Sequence, residues 1–127
     1  MSEFSWPVRV YYEDTDAGGV VYYANYLKFM ERARTEWLRA AGVEQDRLRD
    51  ELGLLFVIVG VDLRYHKPAR FNEQLTVTVE PVEQGRSRFT VRQEVRRGDE
   101  VLVSGTITAA CIDADTFKLK SIPGGML

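Results

Sequence analysis

One long amphipathic helix with no second helix to cover it constrains this chain more than any other feature. Tyr26, Leu27, Met30, Ala33, Trp37, Leu38 and Ala41 recur at helical spacing and form a broad apolar stripe. Lys28, Glu31, Arg32, Thr35, Glu36 and Arg39 fall mostly on the other side. The pattern predicts a helix from about Ala24 to Ala41, ended by Gly42. It starts either at Asn25 as N-cap or in a turn nearer Val20. The stripe needs a partner, and the remaining periodicity is that of strands.

Val8, Val10 and Tyr12 alternate with Arg9, Tyr11 and Glu13 as a short strand before the helix. Residues 43–51 read as a polar connection with about one helical turn. Four strands follow. In the first, Leu55, Val57, Val59, Val61, Leu63 and Tyr65 share one face, while Phe56 and Ile58 make the other apolar at its start. Lys67-Pro68-Ala69-Arg70 breaks it. Leu75, Val77 and Val79 mark the second strand, and Phe89, Val91, Gln93 and Val95 the third. Val101, Val103, Ile107, Ala109 and Cys111 mark the fourth. Glu83-Gln84-Gly85 and Arg97-Gly98-Asp99 are turn signals. The tail from Asp113 reads as irregular. The order β-α-β-β-β-β, with short links between the last four strands, implies an antiparallel meander. The α+β solution is a curved antiparallel sheet wrapped around the single helix.

Length and charge narrow the function. At 127 residues the chain reads as one domain, 1–127, of a size that often gains stability by oligomerising. A net charge of -2 argues against a general nucleic-acid binder. The single cysteine, Cys111, has no internal disulfide partner and fits a reducing compartment, so the expected address is the cytoplasm. The sequence shows neither a secretory h-region nor a membrane-spanning apolar stretch. With one His and one Cys, a typical N/S zinc set cannot be assembled, and neither metal nor cofactor is expected.

The chemistry concentrates in Tyr12–Glu36. Asp14 and Asp16 sit in a tight turn, Gly18 and Gly19 follow, and the helix begins just beyond. A carboxylate facing a helix start across a glycine loop places a base or nucleophile beside backbone N–H donors, an arrangement suited to attack on a carbonyl. Gly18 and Gly19 allow close approach of backbone to a ligand. The competing role for a turn aspartate is local capping, which suits Asp14 better than Asp16. His66 is the only histidine, and there is no G-x-S-x-G elbow for a serine triad. A surface or packing role fits His66, and a core role fits Cys111.

The segments D-T-D-A-G-G-V-V-Y-Y-A-N-Y-L and E-R-A-R-T-E-W-L-R, with the order of elements, resemble the hotdog-fold thioesterases. The likeness is to the 4-hydroxybenzoyl-CoA thioesterase-like group, and within it to the acyl-CoA thioesterases associated with the bacterial Tol–Pal system. The resemblance implies hydrolysis of acyl-CoA thioesters, with Asp16 as catalytic carboxylate and the backbone N–H of Tyr23 polarising the carbonyl. Tol–Pal-associated relatives often carry histidine where this chain has Tyr23; the tyrosine is nearer the hydroxybenzoyl-CoA pattern. The resemblance further implies paired protomers sharing one continuous sheet, dimers often stacked into tetramers, and active sites at the subunit interface. Two alternatives are an acyl-carrier-protein thioesterase and a non-catalytic acyl-binding or scaffold protein of a membrane-associated complex.

CoA carries three phosphates, so basic residues acquire a use. Arg64, Lys67 and Arg70 form one basic cluster in sequence, Arg86 and Arg88 another. Lys67, Arg86 and Arg88 are the substrate-binding candidates beside Gly18 and Gly19. Glu31 on the helix is a minor catalytic candidate.

Overall fold

In a computed structural model, helix α1 (Asn25–Ala40) lies across one face of a five-stranded antiparallel sheet. It buries Tyr26, Phe29, Met30, Ala33 and Leu38 there. Each large side chain so buried contributes about 1.5–3 kcal/mol. The stripe differs from expectation at its edge: Phe29 is fully buried, while Leu27 flanks the contact and is 37% exposed. The structure describes residues 3–126. Met1, Ser2 and Leu127, the ends of the expected 1–127 domain, lie outside the described residues.

The strands are β1 (Phe4–Arg9), β2 (Leu54–Tyr65), β3 (Gln74–Gln84), β4 (Arg88–Arg97) and β5 (Glu100–Asp113). The first begins earlier than its alternation suggested and stops at Arg9, because Tyr12–Asp14 form a single 3-10 turn. The polar connection holds a full second helix, α2 (Gln45–Leu52), anchored by buried Leu48. The tail is mostly irregular, but it returns along β5 through a bridge between Ile112 and Leu119. No helix among the described residues is long and apolar enough to cross a membrane.

Strand order is β1-β3-β4-β5-β2. The expected meander holds for β3, β4 and β5 only; β2 pairs with β5, on the far side of the sheet from β3. Residues 66–73 therefore cross the end of the sheet. Neighbouring strands lie about 4.8 Å apart, so the link spans roughly 14 Å, well within the reach of eight residues. It is fastened on the way. The amides of His66 and Lys67 donate to the Leu102 carbonyl, and Val10 exchanges bonds with Asn72 and Glu73. Side-chain pairs hold it too: Lys67 with Glu100 at 2.5 Å, and Arg97 with Glu73 at 2.9 Å and Glu100 at 2.5 Å.

A register shift between Ile58 and Gly60 leaves Val59 as an extra residue in β2. A bulge reverses the alternation beyond it. Phe56 before the bulge and Leu63 after it both pack on the core, so the single face expected for Leu55 through Tyr65 is in fact two. Inside the core one polar contact ties α1 to the sheet. Gln93, fully buried, donates to the Met30 and Thr78 carbonyls and accepts from Arg34 at 2.9 Å. Burial pulls the Arg34 guanidinium below its ordinary value.

Candidate active site

The two aspartates of the turn have opposite environments. Asp14 is buried, with 4% of its surface exposed. Its carboxylate accepts the Tyr11 amide at 2.8 Å and the Asn25 side-chain amide at 2.6 Å. That second bond clamps the turn to the first residue of α1. Asp16 is exposed; one oxygen accepts the Gly18 amide at 2.8 Å, and the other has no hydrogen-bond partner among the described residues. The local-capping and chemical readings of Asp16 thus coexist, one on each oxygen.

The loop that carries Asp16 is a small hairpin, residues 15–21. Thr15 bridges Val21, the Asp16 amide donates to the Val20 carbonyl and the Gly19 amide returns to the Asp16 carbonyl. Gly19 sits at φ 78, a conformation other residues rarely adopt. At Gly18 an added Cβ would stand 3.2 Å from the Asp16 carboxylate. The two glycines therefore shape the carboxylate's seat. The hairpin docks on the crossover segment through the Val21 amide to the Ala69 carbonyl, 2.9 Å, and a bridge between Val20 and Arg70. Ala69 in turn donates to the hydroxyl of buried Tyr26 at 3.0 Å.

Helix α1 then starts without a cap. Ala24, at the cap position, is already helical and offers no side-chain acceptor. The Asn25 amide turns back to the Tyr22 carbonyl at 2.8 Å. Neither the Tyr23 nor the Ala24 N–H meets an acceptor among the described residues. These donors stand at the positive end of the helix dipole. The Tyr22 amide donates to the Asp14 carbonyl at 2.9 Å, so the aspartate turn lies against the residues that lead into α1. The Tyr22 phenol is held above its ordinary value, first by the adjacent Tyr23 hydroxyl. An aromatic cleft of about 260 Å³ opens beside the helix start, lined by Val21, Tyr23, Tyr26, Tyr65, His66, Lys67 and Pro68.

The other candidates separate. Lys67 lines this cleft, with its ammonium paired to Glu100. Arg86 and Arg88 sit at the start of β4, beside a groove of about 560 Å³. The Arg86 guanidinium donates to Ser121 at 3.0 Å. The Lys67–Glu100–Arg97 cluster marks the other end of β4, roughly 30 Å away for a ten-residue strand. Arg64 faces Asp62 at 3.9 Å. Glu31 accepts the Thr35 hydroxyl on the exposed side of α1. His66 meets Ser104 at 2.8 Å, and Cys111 is buried, its thiol pushed up by desolvation.

Asn25 and Tyr65 were not singled out from the sequence as site residues. For Asn25 the available signal was chemical: a buried amide needs a polar partner, where Leu would pack without one; Tyr65 is half exposed, and its alternation with apolar neighbours gave no sign of a partner. Tyr65 finds its partner in the Tyr23 carbonyl, at 3.0 Å.

A five-stranded antiparallel sheet packed on one long helix, in this order, is the hotdog fold. Comparison with known proteins agrees: residues 18–104 match the thioesterase superfamily, and the chain belongs to that family. The match includes Gly18, Gly19, Tyr23, Tyr65, Lys67, Arg86 and Arg88; Asp14 and Asp16 lie just before it. A Haemophilus influenzae protein named acyl-CoA thioesterase YbgC is 42% identical over 120 residues, 94% of this chain and 88% of that protein. A 1,4-dihydroxy-2-naphthoyl-CoA hydrolase from Thermosynechococcus vestitus is 34% identical over 76% of this chain and 68% of its own length. The crystal structure of a probable thioesterase from Bartonella henselae superposes with a TM-score of 0.92 at 31% identity, covering 96% of this chain and all of that one.

Proposed function

We propose that this protein hydrolyses acyl-CoA thioesters to the carboxylic acid and free CoA, with Asp16 driving the attack and the Tyr23 N–H receiving the carbonyl oxygen. The observation that carries this reading is the exposed Asp16 carboxylate in a turn whose Asp14 carbonyl is bonded to the Tyr22 amide, just before an uncapped helix start. The family, and a 42%-identical relative named for this activity, support the choice of thioester. An ionised carboxylate either attacks the carbonyl carbon, giving an anhydride that water opens, or takes a proton from the attacking water. In both routes negative charge builds on the carbonyl oxygen, where a backbone donor is worth about 2.7–4 kcal/mol. The C–S bond then breaks, and the thiolate leaves with little need of an acid.

The CoA nucleotide is assigned to Arg86 and Arg88. They stand at the opposite end of the sheet from Asp16, so we place them in the partner's half of a shared site. Strand β2 is an unpaired edge bearing exposed Ile58, Val59 and Val61, a surface that pairs readily with another strand. Antiparallel pairing of two β2 strands about their middle sets the Tyr65 end of one against the Leu54 end of the other. That brings the partner's arginine-bearing end toward Tyr23 and Asp16. A buried, unpaired Cys111 suits the cytoplasm, where we place the reaction.

The test is free-thiol release from short, long and aromatic acyl-CoAs by wild type and Asp16→Asn. Turnover that falls at least about a hundredfold in the variant is expected, some 2.7 kcal/mol of transition-state stabilisation. Turnover of acyl carrier protein esters but of no CoA ester would overturn the substrate assignment. Full activity in Asp16→Asn would overturn the mechanism.

A further inference from the structure

Tyr23 lies between two peptide units, and each of their carbonyls is pinned. The Tyr22 carbonyl accepts the Asn25 amide at 2.8 Å. Asn25 is itself held through its side chain by buried Asp14 at 2.6 Å. The Tyr23 carbonyl accepts the Tyr65 hydroxyl at 3.0 Å, from a strand 42 residues further along the chain. The peptides here are trans, so each N–H points opposite to its carbonyl. Pinning the Tyr22 carbonyl therefore aims the Tyr23 N–H, and pinning the Tyr23 carbonyl aims the Ala24 N–H. Together the two bonds restrict rotation on both sides of the Tyr23 Cα.

The Tyr65 ring is well placed for this task. It meets the Tyr23 ring edge-on, centroids 6.3 Å apart, and leans on Tyr26 at 5.8 Å. Tyr26 is fixed by burial and by its bond to the Ala69 amide. Tyr65 also ends strand β2, just before the crossover, so its backbone is anchored by pairing with Val103. A phenylalanine would satisfy the packing, but only the hydroxyl can hold the carbonyl.

We propose that Tyr65 is a positioning residue for carbonyl polarisation: its hydroxyl, bonded to the Tyr23 carbonyl, fixes the Tyr23–Ala24 peptide and so the N–H donors at the start of α1. Tyr65 acts through Tyr23 and exchanges no proton with the substrate. The inference rests on the assignment of the Tyr23 N–H as carbonyl donor. Loosening the Tyr23–Ala24 peptide frees rotation at the Tyr23 Cα and so weakens the restraint on the adjoining Tyr23 N–H, which affects the transition state more than the ground state, since charge on the oxygen develops only there.

The experiment is Tyr65→Phe, assayed with the acyl-CoA that wild type turns over fastest. The expected result is a kcat about tenfold lower with KM within about twofold, the pattern of a transition-state interaction. A second measurement reads the polarisation itself. In the inactive Asp16→Asn background, the infrared stretch of a ¹³C-labelled thioester carbonyl should lie closer to its free-solution frequency when Tyr65→Phe is added. An unchanged kcat, or a raised KM at constant kcat, overturns the proposal, as does an unshifted carbonyl stretch. If Asp16→Asn is inactive while Tyr65→Phe retains full turnover, only the role of Tyr65 falls. If Asp16→Asn turns over like wild type, the underlying site assignment falls instead.

Discussion

The two ends of helix α1 follow opposite rules. At the C-terminal end every device closes the helix. Gly42 adopts φ 87, its amide donates to the Arg39 carbonyl and the Val43 amide to the Leu38 carbonyl, a Schellman closure with Leu38 and Val43 both buried. Trp37 packs on Phe89 at 5.8 Å, and Phe89 on Phe56 at 5.2 Å. At the N-terminal end the cap is missing, although a Ser, Asp or Asn there would contribute about 1 kcal/mol. Tyr23 is 62% exposed, and Asp16 stands in the open. A helix that is sealed at one end and left open at the other has its spare donors where the proposed chemistry would use them. Departures of this kind from local optimality mark function.

Substitutions at the two ends should therefore separate stability from activity. Phe89→Ala is expected to have the largest effect, a loss of about 3–5 kcal/mol in denaturant unfolding, from a cavity at the sealed end. Asp16→Asn should do the reverse. Its unfolding free energy should stay within about 0.5 kcal/mol of wild type, as for an exposed position, while thiol release collapses. A large stability loss would mean that Asp16 serves mainly the loop. Asn25→Ala should lower both quantities, because it leaves the buried Asp14 carboxylate short of a partner, costing about 1–3 kcal/mol, and frees the helix start. Gly42→Ala is expected to cost about 1–2 kcal/mol, through the left-handed conformation alone, with kcat unchanged at temperatures where the protein is folded. The smallest effect is kinetic. Arg86→Glu with Arg88→Glu should raise KM for acyl-CoA severalfold and lower kcat less; an unchanged KM would detach these arginines from CoA.

Much of this was legible in the residues, unevenly. The stripe on α1 and the alternation of β3, β4 and β5 announced the layers, since period alone separates helix from strand. The D-T-D-A-G-G turn pointed to the proposed site. The place of β2 was not legible. A short connection suggests a hairpin, and nothing local tells that residues 66–73 bond to Leu102 and Val10 instead. The bulge at Val59 was hidden for a similar reason: Leu55 through Tyr65 alternate well in sequence, and only pairing with β5 shows the extra residue. The helix in residues 45–52 was missed because its apolar anchor is essentially one side chain, Leu48. Tyr65 was read as a strand residue because its hydroxyl partner is a backbone carbonyl 42 positions away.

The claim that joins the two ends is that Asp16 of one protomer works with Arg86 and Arg88 of its partner. It is tested most directly by pairing an Asp16→Asn protomer with one carrying Arg86→Glu and Arg88→Glu, and measuring thiol release by the isolated hybrid. In such a hybrid one site keeps both Asp16 and the two arginines, and the other loses all of them. The account requires about half the wild-type kcat per dimer, at the wild-type KM. A hybrid whose only activity has the raised KM of the arginine variant would show that each protomer builds its own site, and would contradict it.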